Sequence, residues 1–243
     1  AASISHVTRR VAAVICNPVN INAARVRAAI DAEGKRHGWG LSRWFETSVD
    51  DSGQDATARA LAVNPDLLIV IGGDGTIRTV VEAAHDRELP LAVIPAGTGN
   101  LLVRNLGLPL NHLAQSVRIA FTGADKTIDI AHAEFSRDHG VTDRHLFLVM
   151  AGIGLDASMA ANTSPRMKKR FGWIAYSDPI AKSVIRNKQI KIHYRLDNDS
   201  IQTIRAHTVI VGNCGTLTAN ILLLPNAKID DGLLDVVGLS PKG

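Results

Sequence analysis

A short run of glycines around one aspartate is the segment of this chain with the clearest chemical potential. Residues 71–76 read Ile-Gly-Gly-Asp-Gly-Thr, between the apolar, β-branched run 66–71 and the amphipathic run 76–84. This pattern predicts a turn between a buried parallel strand and a helix, where α/β proteins bind their ligands. Glycines let a ligand approach the backbone closely, and the free N–H groups at a helix start favour a phosphate.

Asp74, in the middle of this turn, narrows the expected chemistry. A carboxylate would repel a bare phosphate, so its presence indicates a metal ion or a ribose hydroxyl as the partner. A tight turn that binds no ligand is the alternative interpretation.

A second glycine-rich turn follows the next predicted strand. Residues 95–100 read Pro-Ala-Gly-Thr-Gly-Asn after the apolar run 91–94. The carboxyl ends of parallel strands meet at one edge of a sheet, so we expect both turns to face one crevice. The chain has no Walker A lysine motif, GxSxG elbow, HExxH or strict GxGxxG, and the last of these absences disfavours a dinucleotide oxidoreductase.

The elements that must position these turns alternate along the first half of the chain. Strands are predicted at residues 11–16, 41–46, 66–71 and 91–94. Helices are predicted at residues 23–37, 54–63, 76–84, 101–105 and 113–121. This alternation predicts a parallel sheet with helices on both faces.

The second half is predicted to be β-rich and antiparallel. Strands are expected at residues 126–135, 145–151, 189–196, 202–212 and 232–239, with one long helix or helix pair over 156–186. Residues 137–143 and 197–200 are expected to be hairpin connections. The change of pattern predicts an α/β domain over residues 1–124 and a β-rich domain over 125–243.

The composition is that of a soluble globular protein, with 46% hydrophobic and 21% charged residues among 243. Aromatic residues are only 4%, which disfavours a base-stacking nucleic-acid surface, and the net charge of +4 fits nucleotides or acidic lipid surfaces. Cys16 and Cys214 suggest neither a disulfide framework nor a zinc site, and no apolar run is long enough to span a membrane. We therefore expect a cytoplasmic protein, with peripheral attachment to the inner membrane face as an option.

The two glycine turns, taken in order, resemble those of the diacylglycerol kinase catalytic domain family, whose relatives include sphingosine and ceramide kinases. The resemblance covers nearly the whole chain. Further matching segments are Asn17-Pro18, Thr47, and residues 152–156, 169–176, 213–215 and 230–235.

The resemblance implies an NAD kinase/diacylglycerol kinase-like, nucleotide-binding α/β domain with a parallel sheet over residues 1–124. It implies a β-sandwich domain for the lipid substrate over residues 125–243. It implies an ATP-dependent lipid kinase that uses Mg²⁺ to phosphorylate a hydroxyl of diacylglycerol or a similar lipid at a membrane surface. Asp74 is the implied catalytic residue, as an organiser of metal and phosphate. The implied ATP-binding residues are Asn17, Thr47, Gly72, Gly73, Asp74, Gly75, Thr76, Ile77, Arg78, Gly97, Thr98 and Asn100.

A further Mg²⁺ site is implied near the end of the chain. Its ligands would be the carboxylate of Asp231 and the backbone carbonyls of Lys228 and Leu233. Taken without the resemblance, residues 230–232 favour a hairpin turn.

The chain departs from the family pattern at two places. Leu101 follows Asn100 where many relatives carry Asp, although sphingosine-kinase-like relatives also lack that Asp. Bacterial members usually have an Asp-Gly-Glu segment near their C-terminus that supplies the proposed general base, and this segment has no counterpart here. We therefore expect the chain to stop before that point, so that the second domain is truncated at its C-terminus.

Two alternatives to a lipid kinase stay open. The first alternative is a kinase of a soluble substrate such as NAD, because NAD kinases and phosphofructokinases resemble the family at the first glycine turn. The second alternative is a non-catalytic lipid- or nucleotide-binding module, because the segment that supplies the general base has no counterpart here. The basic residues between 166 and 191 would suit an anionic lipid surface, and equally a solvated helix. The oligomeric state is open, with a homodimer as one option.

Overall fold

The computed structural model describes residues 9–18, 21–48, 51, 53–136, 140, 142–154 and 189–240. The chain divides into two compact units, Ala1–Thr127 and Ile128–Gly243. The helix predicted at 156–186 lies outside the described residues, as do the family segment 169–176 and most of the basic stretch.

Four parallel strands form the sheet of the first unit, as the alternation predicts. They are β1 (Ala12–Cys16), β2 (Arg43–Glu46), β3 (Leu67–Gly72) and β4 (Leu91–Pro95). Their order is β2-β1-β3-β4, and every pairing is parallel. The chain moves outward from β1 to β2 and then returns to the other side of β1 for β3. The strand order therefore reverses between β1 and β3, which makes the carboxyl ends of these two strands a topological switch point.

Five α-helices lie among the described residues of the first unit. They are α1 (Ala23–Arg36), α2 (Gln54–Leu61), α3 (Asp74–Ala84), α4 (Leu101–Asn105) and α5 (Leu113–Thr122).

Helices cover both faces of this sheet. On one face, Val14 packs in a cluster with Ile30 of α1 and Val117 of α5. Successive strand residues point to opposite faces, and Ile15 is also fully buried, so the other face is covered as well. Helices α2 and α3 pack together on β1 and β3. The continuous burial of β3 follows from this double covering.

The second unit is β-rich and antiparallel, as predicted. Its strands are β5 (Ala131–Ser136), β6 (Thr142–Phe147), β7 (Met150–Gly154), β8 (Ile190–Tyr194), β9 (Gln202–Ala206), β10 (Thr208–Gly212) and β11 (Asp235–Leu239). They form the pairs β5-β6 and β8-β9 and the sheet β11-β10-β7.

Two strands predicted as continuous are divided in the structure. The run 202–212 changes partner at His207, because β9 pairs with β8 whereas β10 pairs with β7 and β11. The run 145–151 is interrupted at residues 148–149, where the carbonyl of Val149 accepts hydrogen bonds from the amides of Asn213 and Cys214. Hydrophobic pattern does not reveal where a chain passes from one sheet to another.

Candidate functional site

The predicted site residues of the first unit lie at the carboxyl edge of its sheet. The amide of Asn17 donates to the carbonyl of Ile71 at 3.0 Å, and the amide of Thr47 donates to the carbonyl of Cys16 at 2.9 Å. These bonds continue the ladder past the ends of β1 and β2. They hold the loops after three strands at one edge, beside the switch point.

The two glycine turns are in direct contact. The amide of Ala96 donates to the carbonyl of Gly72 at 2.9 Å, which extends the pairing of β3 with β4 into the turns. A Cβ atom built on Gly97 would lie 2.6 Å from the Cα of Gly73, and one built on Gly73 would lie 3.1 Å from the Cα of Gly97. Real Cβ atoms do not approach other atoms to 2.6 Å, so glycine at position 97 is required for the turns to meet.

Asp74 connects the first turn to the helix that follows the second. It is the first residue of α3, and its Oδ1 accepts a hydrogen bond from the amide of Leu102 at 3.3 Å. Its Oδ2 lies 2.9 Å from the position that a Cβ on Gly99 would occupy. The carboxylate is therefore enclosed on one side by the backbone of the second turn and of α4.

Asn100 gives the second turn its shape. The residue is buried and lies in the left-handed region, at φ 48° and ψ 47°. Its Oδ1 accepts from the amide of Gly97 at 3.1 Å, and its Nδ2 donates to the carbonyl of the same residue at 2.7 Å. Asn100 is among the predicted ATP-binding residues, and the structure shows its amide group bonded at both ends to the backbone.

The start of α3 offers backbone N–H groups at this edge. The amide of Ile77 makes the first bond of the helix, to the carbonyl of Gly73 at 3.0 Å, so the amides before it have no partner within the helix. A Cβ on Gly75 would meet nothing within 4 Å. The peptide at Gly75 is therefore open to a ligand, and the positive end of the helix dipole favours an anion there.

Three further predicted ATP-binding residues in α3 have side chains that are engaged within the protein. Ile77 is fully buried in the core, so only its backbone is available to a nucleotide. Arg78 forms an ion pair with Glu82 one turn further along the helix, at 2.7 Å. The side chain of Thr76 folds back toward Gly72, where a Cβ would lie 2.7 Å from the Cβ of Thr76.

The two predicted threonine ligands differ in exposure. Thr47 is 5% exposed, whereas Thr98 is exposed. The methyl group of Thr47 lies 3.8 Å from the position of a Cβ on Gly53, at the start of α2. Thr98 is therefore the exposed side chain of the second turn, whereas the side chain of Asn100 is buried and bonded to Gly97.

A network of backbone bonds to Asp51 holds the start of α2 close to Thr47. The carboxylate of Asp51 accepts from the amides of Gly53, Asp55 and Ala56. Burial opposes ionisation, but these three bonds and the positive charge of Arg59 outweigh it and lower the pKa of Asp51 from 3.8. A cavity of about 520 Å³ adjoins this loop, lined by Glu46, Ser48, Asp51, Asp55, Ala58 and Arg59.

Cys16 ends β1 next to Asn17. Burial raises the pKa of the Cys16 thiol from 9.0 to about 11, the charge of Glu46 adds to the rise, and Arg27 opposes it. The thiol is therefore neutral at physiological pH and acts as a small apolar group.

The residues of the implied further Mg²⁺ site lie in the second unit, on an exposed turn before β11. Lys228, Asp231 and Leu233 are all exposed, and Oδ1 of Asp231 accepts from the amide of Leu233 at 3.1 Å. Gly232 has φ +73°, so residues 229–232 form a tight turn, which does not connect two paired strands as a hairpin would. Within the described part of the chain, no cluster of three or more His, Cys, Asp or Glu is arranged to hold a metal ion.

Sequence reasoning assigned no role to two residues that support this turn. Oδ2 of Asp129 accepts from the amide of Gly232 at 2.7 Å, and the amide of Asp129 donates to the carbonyl of Ile229 at 2.7 Å. Asn213, fully buried, donates to the carbonyls of Asp129 and Leu148. An acidic residue inside a predicted strand was the available signal for Asp129.

Two family models match successive parts of the chain. Residues 12–133 match the model of the diacylglycerol kinase catalytic domain, and residues 148–242 match the YegS C-terminal NAD kinase beta sandwich-like domain. The chain has the fold of a lipid kinase, in which a parallel α/β domain is followed by a β-sandwich-like domain. It belongs to the diacylglycerol kinase catalytic domain family.

Relatives of known name agree with this assignment. A diacylglycerol kinase of Mycobacterium tuberculosis (strain CDC 1551 / Oshkosh) is 29% identical over 227 residues, which are 91% of this chain and 71% of the relative. A protein of Pseudomonas aeruginosa (strain UCBPP-PA14), named Probable lipid kinase YegS-like, is 33% identical over 79% of this chain and 62% of its own length. A crystal structure of a diacylglycerol kinase from Bacillus anthracis str. Sterne superposes with a TM-score of 0.65 at 25% identity, covering 96% of this chain and 74% of that chain. No helix among the described residues is both long and apolar enough to cross a bilayer.

Proposed function

We propose that this protein is an ATP-dependent lipid kinase that transfers the γ-phosphoryl group of ATP to a hydroxyl of diacylglycerol or a similar lipid. The observation that carries the proposal is the contact of the two glycine turns after β3 and β4, with Asp74 between them and open backbone at Gly75. Membership of the diacylglycerol kinase catalytic domain family supports the same reaction class.

The residues at this edge fit the phosphates of ATP. The open amides at Gly75 and the start of α3 suit phosphate oxygens, and the hydroxyls of Thr47 and Thr98 would add donors. Asn17 would border the nucleotide from the end of β1. In this proposal Gly97 and Asn100 give the site its shape. Ile77 and Arg78 contribute only their backbone atoms.

Asp74 fits a role in holding Mg²⁺. Carboxylate oxygens are the ligands that Mg²⁺ prefers, and one or two carboxylates together with phosphates commonly hold it. When bound, the ion would neutralise charge on the β- and γ-phosphates. Asp74 itself would keep the negative charge of its carboxylate at a fixed position, because its Oδ1 is bonded to the amide of Leu102.

The turn before β11 suits the second proposed Mg²⁺ site. Asp231 supplies an exposed carboxylate, and Lys228 and Leu233 would supply backbone carbonyls. The bond from Gly232 to Asp129 holds the turn in shape and brings a second carboxylate to it. This site would stabilise the β-rich domain, residues 125–243. We propose that this domain binds the lipid and that residues 1–124 bind ATP.

The proposed setting is the cytoplasmic face of a membrane, where ATP and a lipid acceptor meet. The test is a transfer assay with γ-labelled ATP on the full-length natural protein, with diacylglycerol and sphingosine in mixed micelles and NAD in solution as acceptors. We expect label on a lipid and none on NAD. Label on NAD alone would favour the soluble-substrate kinase, and ATP binding without transfer to any lipid would favour a binding module.

A further inference from the structure

Asn100 stands between the second glycine turn and α4 in a conformation that few residues other than glycine adopt. Its φ is 48°, it is 7% exposed, and its side-chain amide bonds both the N–H and the C=O of Gly97. Both polar ends of the side chain are thus engaged within the turn. This arrangement closes the turn on itself, as a backbone turn would.

The turn that Asn100 closes is the one that encloses Asp74. Gly99 lies next to Oδ2 of Asp74, at 2.9 Å from the position of a Cβ, and the amide of Leu102 bonds Oδ1. Nε of Arg104 donates to the carbonyl of Gly99 at 2.9 Å and ties this peptide to α4. A shift of the turn would therefore move both groups that contact the Asp74 carboxylate.

Building on the proposed function, we propose that Asn100 is a positioning residue for Asp74 and makes no contact with the nucleotide. Asn100 fixes the turn, and the turn fixes the carboxylate in the orientation that the metal and phosphates require. Removing the two side-chain bonds would loosen Asp74 while leaving the amides at the start of α3 in place. The loss should therefore appear in the part of ATP binding that depends on Mg²⁺.

Asn64 provides a matched control for backbone strain. It also has φ 48°, it is exposed, and it follows α2. Alanine at position 64 would carry the same left-handed strain as alanine at position 100. The difference between the two variants isolates the bonds to Gly97.

The experiment measures ATP affinity by titration calorimetry, in Mg²⁺ and in EDTA, for the wild type, Asn100→Ala, Asn100→Asp and Asn64→Ala. In Mg²⁺, we expect Asn100→Ala to bind ATP about 30-fold more weakly, because both side-chain hydrogen bonds that hold the turn are lost. In EDTA its affinity should equal that of the wild type. Asn100→Asp keeps the acceptor for the amide of Gly97, so it should lose no more than about tenfold, the value of one hydrogen bond. Asn64→Ala should match the wild type in both buffers.

Equal losses in Mg²⁺ and in EDTA, or an Asn100→Ala protein that behaves like Asn64→Ala, would overturn the positioning role. A wild-type protein that does not bind ATP with Mg²⁺ would instead contradict the proposed function, and this role with it. Gly99→Ala provides a second variant if Asn100→Ala does not fold, because its methyl group would press directly on Oδ2 of Asp74. The same Mg²⁺-specific loss is expected from it, and unchanged binding would overturn the proposal.

Discussion

Gly73 and Gly97 belong to different turns and lie in backbone-to-backbone contact: a Cβ on Gly97 would stand 2.6 Å from the Cα of Gly73. This contact joins the two glycine-rich segments into one structure at the carboxyl edge of the sheet. It also explains why the second turn has no side chain at this position.

Gly97→Ala should damage both the fold and the site, because the nearest obstacle is backbone and cannot rotate away. We expect a loss of about 1–3 kcal/mol in the free energy of unfolding, typical of overpacking. ATP affinity should fall with it. Urea unfolding and titration calorimetry would measure the two effects.

Gly40→Ala is the matched control for Gly97→Ala. A Cβ on Gly40 would lie 3.5 Å from the nearest atom, the carbonyl oxygen of Arg10, which is an ordinary contact. This variant should unfold like the wild type. If Gly97→Ala were as stable as Gly40→Ala and bound ATP normally, neither the fold nor ATP binding would depend on the contact between the turns.

Gly75→Ala should separate stability from binding. The position lies in the first turn of α3 and a Cβ there meets nothing within 4 Å. Alanine is the better helix former, so the free energy of unfolding should rise, by up to about 1 kcal/mol. The added methyl group would occupy the space in front of the amides, so ATP affinity should fall. A more stable protein with unchanged ATP affinity would exclude the phosphates from this position.

Asp74→Asn should remove the charge of the Asp74 side chain while keeping its size and its hydrogen bond. The amide oxygen of asparagine can still accept from the amide of Leu102, so the fold should be retained. The charge that would hold Mg²⁺ is lost, and we expect phosphoryl transfer by the full-length natural protein to fall at least about 100-fold. Asp74→Ala should abolish transfer. Near-wild-type turnover in either variant would remove Asp74 from the catalytic site.

Asp51→Asn should lower the free energy of unfolding by an amount that depends on pH. The carboxylate of Asp51 bonds three amides at the start of α2, and replacing such a cap costs about 1 kcal/mol. Its pKa in the folded protein is lowered from 3.8, so the ionised form contributes its stability fully above that unfolded value. This contribution is lost as the pH falls through the folded pKa.

Urea unfolding at pH 7 and at progressively lower pH values would check this prediction, with the exposed Asp125→Asn as control. The stability difference between Asp51→Asn and the wild type should be largest at pH 7 and shrink below pH 3.8. A difference that stays constant with pH would show that the charge of Asp51 does not carry the effect.

The first unit was predictable because its strands and helices have distinct hydrophobic periods. The buried run of β3 and the helix after Gly73 were both expected, and the parallel sheet follows from their alternation. The contact of Gly73 with Gly97 was not predictable, because it depends on the register that pairs Gly72 with Pro95.

The second unit illustrates the limit of sequence patterns more clearly. Asp129 bonds the amide of Gly232, which is 103 residues away, and no local pattern encodes that pair. The change of sheet at His207 was hidden in the same way, because the residues on both sides of it suit a strand. The roles assigned to Asp231, Lys228 and Leu233 come from resemblance to the family and stay predictions.

A crystal structure with Mg²⁺ and a non-hydrolysable ATP analogue would test the central claim most directly. We predict that the terminal phosphates lie within hydrogen-bonding distance of the amides at the start of α3, next to Gly75, with the metal ion bound to the carboxylate of Asp74. Phosphates bound elsewhere, with the amides near Gly75 facing solvent, would contradict the account.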